Sequence, residues 1–446
     1  MKKTIYLLAI LSVIACKKES KELYIKLIDQ KGYGSFKPGN SIVFPSQDSI
    51  FYSGVPNEID EFVVRKLIAD KNQKLYNDYK SGLIDKNDFI ELVRDRKIDT
   101  LDLTDKEIDN EILILIGTNR KSGKVIIVDS DNDDNFENEK VLEYPYPLTI
   151  NQQDSIQPLL EDVIVNYDVF LKDKIVEKSI VIKPSPYRGG LGISLSAKNP
   201  IEQNYFLFAS IPQHKKGKAL INNKEYTIEI SNGFTTPIYN SNNARIFIYG
   251  ERQNDILERN NFMTYNIGDV FNADGKDYTI KKISKLGNQL TLEYLKDNDK
   301  PKGNIVGYYP LDFEAKTIDN TNLKLETYKG SYVLIDFWGT WCAPCIKALP
   351  ELKDVNNQLS KSYDFKLISV AFDSNIEEVK SFTKKHEMNW EHVFVDNTQY
   401  NDNSIVAKFD INSFPSTILI DPSGKIVSRN ETFEAIKKIV RENNAL

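Results

Sequence analysis

Apolar and polar positions alternate with different periods along the chain, and the first pattern is helical. In residues 57–96 the apolar side chains keep a period of 3.6, as between Val63 and Leu67, which predicts helices. Apolar runs at 112–116 and 125–128 follow and predict two strands. This part of the chain therefore indicates a mixed α and β region.

Between residues 155 and 296 the apolar period becomes two, which is typical of β-strands. Two longer runs are interrupted by Asn222-Asn223 and Asp274-Gly275, pairs that favour tight turns, so these runs predict hairpins. Several short strands separated by turns indicate a β-sandwich or a barrel. The other predicted strands are 163–167, 180–182, 204–209 and 245–249.

Beyond residue 305, strands alternate with helices. This order predicts a mixed sheet that is covered by helices on both faces. The segment before it, 296–304, carries no aliphatic or aromatic side chain apart from the Pro301 ring and predicts a linker. The predicted strands of the C-terminal region are 332–337, 365–372, 392–395, 417–420 and 426–428.

These patterns predict a multidomain protein, with an α/β C-terminal domain after a mainly β region that contains a short helical section. The predicted segments are a signal peptide (1–15), a tether with irregular strands (16–55), a mixed α+β region (56–150), a β-rich domain (151–295), the linker (296–304) and the C-terminal domain (305–446).

The first sixteen residues predict export to the bacterial cell envelope. Two lysines precede an apolar run at 5–14 that is too short to span a bilayer as a helix. The run ends in Ala15-Cys16, which resembles the bacterial lipobox and implies lipidation of Cys16 and removal of 1–15. An ordinary secretory signal with an incidental cysteine is the alternative. Lys17 stands where an aspartate would resemble the inner-membrane retention signal, so the outer membrane is favoured, with the protein facing the periplasm or the surface.

Composition excludes several classes of function. Lysine and arginine total 58 against 64 aspartate and glutamate residues, so the net charge of −6 gives no electrostatic footprint for nucleic acid. Apolar residues at 41% and charged residues at 27% argue against disorder and against a polytopic membrane protein. The three cysteines exclude a disulfide-stapled small fold and a four-cysteine zinc site, and the three histidines are too scattered for a His-rich metal site.

The candidate chemistry lies at a C-x-x-C motif between a predicted strand and a predicted helix. Unpaired N–H groups and a partial positive charge at a helix N-terminus favour a thiolate at Cys342, and Pro344 fits the first helical turn. We predict that Cys342, as the N-terminal and more exposed cysteine, is the nucleophile and that Cys345 resolves the mixed disulfide. Half of a zinc site is one alternative, but no other cysteine can complete it. A structural disulfide is the other, but so short a loop gains little stability.

Two further positions are candidates for the same site. Asp336 lies six residues before Cys342 in an apolar strand, where burial raises the pKa of a carboxyl group and lets it accept the proton of Cys345. A strand-edge aspartate bonded to the backbone is the alternative. Far downstream, Phe414-Pro415 stands at the start of a predicted strand. A role as an edge-strand residue is the alternative interpretation of this proline.

Together these residues resemble thioredoxin, and most closely the TlpA/ResA branch of exported thiol–disulfide reductases. The resemblance covers about 306–446. It is carried by D-F-W before W-C-A-P-C, by F-P-S-T at 414–417 and by I-D-P-S-G-K-I-V at 420–427.

The resemblance implies further roles for residues of this site. Pro415 is expected to be cis and to face the dithiol, the backbone of Phe414 is expected to pair with substrate, and Trp341 and Pro344 are the other predicted substrate contacts. Many relatives carry a glutamate three residues after the second cysteine, where this chain has Ala348. Proton handling would then fall on Asp336, as in thioredoxin itself.

The predicted function is an exported, membrane-tethered thiol–disulfide oxidoreductase that reduces exported proteins. It would need no small-molecule cofactor, and a membrane or periplasmic electron donor would restore the dithiol. A disulfide oxidase or isomerase is one alternative, and a binding or scaffold module in 17–300 with an accessory redox domain is another. The acidic run 129–139 resembles an EF-hand loop, but Asp134 stands where the loop needs glycine and Lys140 where it needs glutamate. A looser calcium loop and a solvated acidic turn remain as the two interpretations.

Overall fold

The computed structural model describes residues 21–39, 41–43, 51–119, 123–145, 159–187, 205–250, 264–399, 401 and 404–443. The predicted signal peptide and Cys16 lie outside these residues. In the part of the chain that the structure describes, no helix combines the length and the apolar character needed to cross a membrane.

Strands dominate the described residues before position 298. They form four sheets of four strands each, in the orders β4-β5-β6-β7, β3-β10-β9-β8, β13-β12-β11-β2 and β1-β16-β15-β14. The strands are β1 (Glu22–Lys26), β2 (Ile28–Lys31), β3 (Ser41–Ile42), β4 (Ile59–Ile68), β5 (Glu111–Asn119), β6 (Gly123–Val128), β7 (Val141–Tyr144), β8 (Val163–Leu171), β9 (Lys174–Tyr187), β10 (Phe206–Ser210), β11 (Gln213–Ile221), β12 (Lys224–Ser231), β13 (Arg245–Gly250), β14 (Val270–Ala273), β15 (Lys276–Ile283) and β16 (Gln289–Asp297).

The four sheets pack in two pairs, each around its own apolar core. The sheets that contain β5 and β8 share one core, in which Ile114 and Val165 are fully buried. The sheets that contain β12 and β16 share the second core, in which Ile228 and Leu290 are fully buried. Sheets packed face to face form a sandwich-like arrangement, so the prediction of a mainly β region is confirmed.

Two helices, α1 (Lys71–Lys80) and α2 (Lys86–Asp95), form the short helical section of this region. The side chain of Asp70 accepts the backbone N–H groups at the start of α1, and that of Asp85 does the same for α2. These contacts satisfy donors that a helix N-terminus leaves free. Both helices therefore begin at aspartate caps.

The prediction of helices over residues 57–96 is wrong for its first part, because Ile59–Ile68 forms β4. A spacing of four, as between Val63 and Leu67, places side chains on one face of a strand as well as of a helix. The partner strand decides between the two: Val63 pairs with Ile116 and Leu67 with Ile112, both fully buried. Pairing with the buried strand β5 thus outweighs the helical pattern of apolar residues in this segment.

The C-terminal domain is a five-stranded mixed sheet in the order β21-β20-β19-β22-β23. The three strands β19, β20 and β21 are parallel, while β22 and β23 run antiparallel to their neighbours. The elements are β17 (Glu314–Lys316), β18 (Asn322–Lys324), β19 (Tyr332–Trp338), α3 (Ala343–Ser362), β20 (Phe365–Asp373), α4 (Ile376–Lys385), β21 (Glu391–Asp396), α5 (Ile405–Lys408), β22 (Ser416–Ile420), β23 (Ile426–Arg429) and α6 (Phe433–Asn443).

Both faces of this sheet are covered, as predicted. On one face Phe337 packs with Val406 of α5, and on the other Leu334 packs with Val355 of α3 and Ile436 of α6. Successive side chains of a strand point to opposite faces. Asp336 therefore shares the face of Leu334, beneath α3.

The segment predicted as a linker is bonded at both ends. Its first residues complete β16, and the backbone N–H of Asn298 donates to the carbonyl oxygen of Gly275 at 2.7 Å. At the far end, the N–H of Gly303 donates to the carbonyl oxygen of Tyr309 at 2.8 Å. The division into separate domains at 296–304 stays a prediction.

Candidate active site

The two cysteines lie where β19 gives way to α3. Cys342 is the N-cap residue of the helix, and the N–H of Cys345 donates to its Sγ at 3.2 Å. Pro344 occupies the first turn, where its missing N–H leaves no hydrogen bond unmade. The sulfur of Cys342 therefore accepts a hydrogen bond from the helix backbone and lies at the positive end of a 20-residue helix, which stabilises a thiolate when the cysteines are reduced.

Cys342 and Cys345 are joined in a disulfide with a Cα–Cα distance of 5.3 Å. Both residues are buried, and the prediction that Cys342 is the more exposed one is wrong: 3% of Cys342 is exposed against 8% of Cys345. Cys342 belongs to an apolar cluster against which the Phe414 ring also packs. Its suitability as a nucleophile rests on its position at the helix N-terminus.

Asp336 is a buried carboxyl group in the central strand of the sheet. Burial raises its pKa to about 7, against the opposing effect of a hydrogen bond from the Ser369 hydroxyl at 2.9 Å. The alternative of a strand-edge aspartate is wrong, because β19 is paired on both sides. At neutral pH this group is poised to take up or release a proton.

A small cavity lies beside both Asp336 and the second cysteine. It measures about 20 Å³ and is lined by Asp336, Cys345 and Pro415, among mainly apolar neighbours. A space of this size holds one water molecule. The carboxyl group and the second cysteine thus line one small cavity, which suits a proton transfer between them.

The peptide bond between Phe414 and Pro415 is cis, and Pro415 lies directly before β22. The Phe414 ring stacks on Phe372 with centroids 5.5 Å apart and meets Trp341 edge-on at 5.4 Å. Trp341 is 55% exposed, and its Nε1–H donates to the carbonyl oxygen of Phe372 at 2.9 Å. An exposed aromatic surface therefore lies next to the disulfide.

Thr340 and Asp373 were missed in the sequence, although they fix the turn before Cys342. A carboxylate oxygen of Asp373 accepts the N–H of Thr340 at 2.8 Å and its hydroxyl at 2.7 Å. Asp373 ends the parallel strand beside β19. The sequence offered one signal for this contact, a polar residue at the carboxyl end of a predicted strand. The carboxyl ends of parallel strands meet at one edge of the sheet.

The histidines of this domain have packing roles. His392 is buried in β21, its Nε2 lies 3.0 Å from the carbonyl oxygen of Met388, and burial lowers its pKa to about 4. It is therefore neutral at pH 7. His386 ends α4, and its ring stacks on Phe382 at 4.1 Å.

The acidic run lies in a loop after β6, outside the C-terminal domain. Carboxylate oxygens of Asp129, Asp131 and Asp133 lie within 4.8 Å of one another, so the three could hold one cation. Asp129 is buried and accepts the N–H groups of Asp133 and Asp134. Burial raises the pKa of Asp129 to about 6. The calcium loop and the solvated turn both stay open.

Comparisons with known proteins match the C-terminal domain. Residues 330–426 match a family described as thioredoxin-like. The chain is 30% identical over 134 residues to a thiol-disulfide oxidoreductase ResA of Bacillus cereus, a match that covers 29% of this chain and 72% of the relative. It is 29% identical over 116 residues to ResA of Bacillus subtilis, which covers 26% of this chain and 62% of the relative.

Among solved structures, the chain is similar to the thioredoxin domain of a thiol-disulfide oxidoreductase from Bacteroides vulgatus. The two are 26% identical with a TM-score of 0.28, and the match covers 30% of this chain and 98% of that one.

Proposed function

This chain belongs to the thioredoxin-like thiol–disulfide oxidoreductases, and from this we propose that its dithiol reduces disulfide bonds of exported proteins. The observation that carries the proposal is the Cys342–Cys345 pair at a helix N-terminus, beside a buried carboxyl group whose pKa is about 7. Each part of this arrangement has a role in thiol–disulfide exchange.

In the first step the thiolate of Cys342 attacks one sulfur of the substrate disulfide. A bond forms between Cys342 and that sulfur, and the other substrate sulfur leaves as a thiolate. In the second step Cys345 gives its proton to Asp336 and attacks the sulfur of Cys342. The Cys342–Cys345 disulfide forms, the second substrate thiolate leaves, and two electrons have passed to the substrate. A membrane or periplasmic thiol donor then returns them.

The surface beside the dithiol supports the binding of an extended segment of substrate. Trp341, Phe414 and Phe372 offer an aromatic patch, and Pro344 and Pro415 flank the cysteines. Apolar contact with this patch would hold the substrate disulfide near Cys342. The backbone of Phe414 would pair with the substrate chain.

The direction of reaction follows from the residues between the cysteines. Ala343 and Pro344 carry no charge and add nothing to the stabilisation of the thiolate by the helix N-terminus, so its pKa should be nearer the ~7 of thioredoxin than the ~3.5 of DsbA. A less stabilised thiolate gives a more strongly reducing couple. This argues for a reductase over an oxidase or isomerase.

A trapping experiment tests the proposal. With Cys345→Ser, the mixed disulfide on Cys342 cannot be resolved, so we expect envelope proteins to stay attached until dithiothreitol is added. The matched control carries Ser at both positions and should capture none. Equal capture by the two variants, or no capture by the first, contradicts the proposed function.

We further propose that the mature protein is anchored in the membrane of the cell envelope through a lipid on Cys16, with the outer membrane favoured. The apolar run and the Ala15-Cys16 pair support this. Mass spectrometry of the purified protein should find an acylated Cys16 at the N-terminus. The control, Cys16→Ser, should lack the acyl mass. An unacylated N-terminus at another residue would rule out the anchor.

A cleft of about 850 Å³ favours a second role, the binding of a ligand or partner by the N-terminal region. Tyr226 and Tyr265 line it from the β-rich side, and Tyr308 and Lys425 line it from the C-terminal domain. Lys425 lies in the turn between β22 and β23, at the end of the sheet away from the cysteines. A molecule bound there would contact both regions without touching the dithiol.

A further inference from the structure

We propose that Ser369 and Trp390 are positioning residues, which hold the Asp336 carboxyl group in place for its proton exchange with Cys345. The proposal rests on the proposed function and adds two side chains to its second step. Neither residue belongs to the C-x-x-C motif, and they lie 33 and 54 positions after Asp336 in the chain.

The three side chains form a continuous chain of hydrogen bonds. The Nε1–H of Trp390 donates to Oγ of Ser369 at 2.9 Å, and that hydroxyl donates to Oδ2 of Asp336 at 2.9 Å. An indole N–H can only donate. Oγ of Ser369 must therefore use a lone pair toward Trp390, and its own hydrogen is left for Asp336.

The direction of the hydrogen bond from Ser369 determines which oxygen of the Asp336 carboxyl group can carry its proton. Oδ2 of Asp336 accepts a hydrogen bond from Ser369, so Oδ1 is the oxygen left to carry the proton. A donor aimed at Oδ2 stabilises the carboxylate and opposes the effect of burial on the pKa of Asp336. Trp390 thus acts on Asp336 through Ser369, because it keeps the serine hydroxyl from turning away.

The register of the sheet brings the groups together. Asp336 pairs with Ser369, which pairs with His392, and residues level with each other on neighbouring parallel strands share one face. Thr417 of β22 is level with Asp336 on the other side. The row lies beneath α3, and Ser369 is fully buried.

Few other titratable groups of the described residues face Asp336. From α3 the titratable group is Cys345, which lines the same cavity, and from β21 it is His392, which burial keeps neutral at pH 7. The lining residues from α4, the segment after it and α6 are Phe382, Met388 and Phe433. A change in the titration of Asp336 can therefore be assigned to the hydrogen-bond chain.

The test measures Asp336 directly in the oxidised protein, where the cysteines do not titrate. The ¹³C chemical shift of its carboxyl carbon is followed against pH in the wild type and in Ser369→Ala. Loss of a hydrogen bond to a charged group should raise the titration midpoint by about one pH unit. Trp390→Phe should move it in the same direction by a smaller amount.

Two controls separate this effect from a change in packing. Ser428→Ala removes a buried hydroxyl of β23 that has no hydrogen-bond partner within the described residues, so the midpoint should not move. Ser369→Thr keeps the hydroxyl and should restore most of the wild-type midpoint. An unchanged midpoint in Ser369→Ala, or an equal shift in Ser428→Ala, overturns the proposal.

The kinetic readout separates this proposal from the proposed function. A rise of about one pH unit from a midpoint near 7 lowers the ionised fraction of Asp336 at pH 7, and with it the rate of resolution, about fivefold. If the midpoint moves but the wild type reduces no disulfide, the hydrogen-bond chain stands and the proposed function fails. If the wild type reduces disulfides and the midpoint does not move, the opposite holds.

Discussion

Replacing Cys342 by serine is expected to lower kcat/KM for disulfide reduction by at least about a thousandfold, because serine cannot form the mixed disulfide. Cys345 lies in the first turn of α3 and lines the small cavity with Asp336. It is not the N-cap residue, where free N–H groups stabilise a thiolate, so we do not expect it to replace Cys342 in the attack on a protein substrate. Reduction of insulin by full-length protein, with dithiothreitol as the electron donor, measures the loss.

The companion variant distinguishes the two cysteines. Cys345→Ser should still react once with a disulfide and accumulate a mixed disulfide at Cys342, so single-turnover attack survives while steady-state turnover is lost. Cys342→Ser should show neither. If both variants keep single-turnover attack at similar rates, the assignment of Cys342 as nucleophile is wrong.

Replacing Asp336 by asparagine is expected to stabilise the C-terminal domain at alkaline pH and not at pH 4. The folded-state pKa of about 7 lies above the ordinary value of 3.8, so the folded protein holds this proton more tightly than the unfolded chain does. The stability this provides is fully present below about pH 4 and is lost as pH rises to about 7. That difference in pKa corresponds to roughly 4 kcal/mol.

Tryptophan fluorescence isolates the domain in which this change occurs. All three tryptophans, Trp338, Trp341 and Trp390, lie in the C-terminal domain. Urea unfolding of the oxidised full chain, followed by this signal at pH 4 and pH 8, gives the free energy of unfolding for wild type and variant. The control is Asp364→Asn, at an exposed carboxylate, and it should change stability little at either pH. A variant that is no more stable than wild type at pH 8 contradicts the raised pKa.

The same substitution should change the kinetics. Under the proposed mechanism Cys345 loses the group that takes its proton, so resolution of the mixed disulfide should slow, and the pH–rate profile should flatten near neutrality. Ala348 provides no carboxylate to replace Asp336. Identical profiles for wild type and Asp336→Asn would exclude Asp336 from the proton step.

The sequence alone determined the C-terminal domain and the centre of its site. Each predicted strand after residue 305 is found in the sheet, because its apolar run is short and bounded by turn residues or helix caps. The local structure around the C-x-x-C motif could be predicted from the sequence, since the strand before it and the helix after it are contiguous in the chain. Asp336 lies within the apolar run that forms the strand before the motif, so its burial could be predicted from the apolar residues around it.

Tertiary structure alone decided features that depend on distant partners. Residues 59–68 became a strand because β5, more than 40 positions later, offers a buried row to pair with. Cys342 is buried in an apolar cluster against which Phe414, 72 positions later, packs. Ser369 and Trp390 meet Asp336 because parallel pairing fixes their register. A local pattern specifies the period and the burial of a segment, but the neighbour of each side chain is set by long-range register and packing.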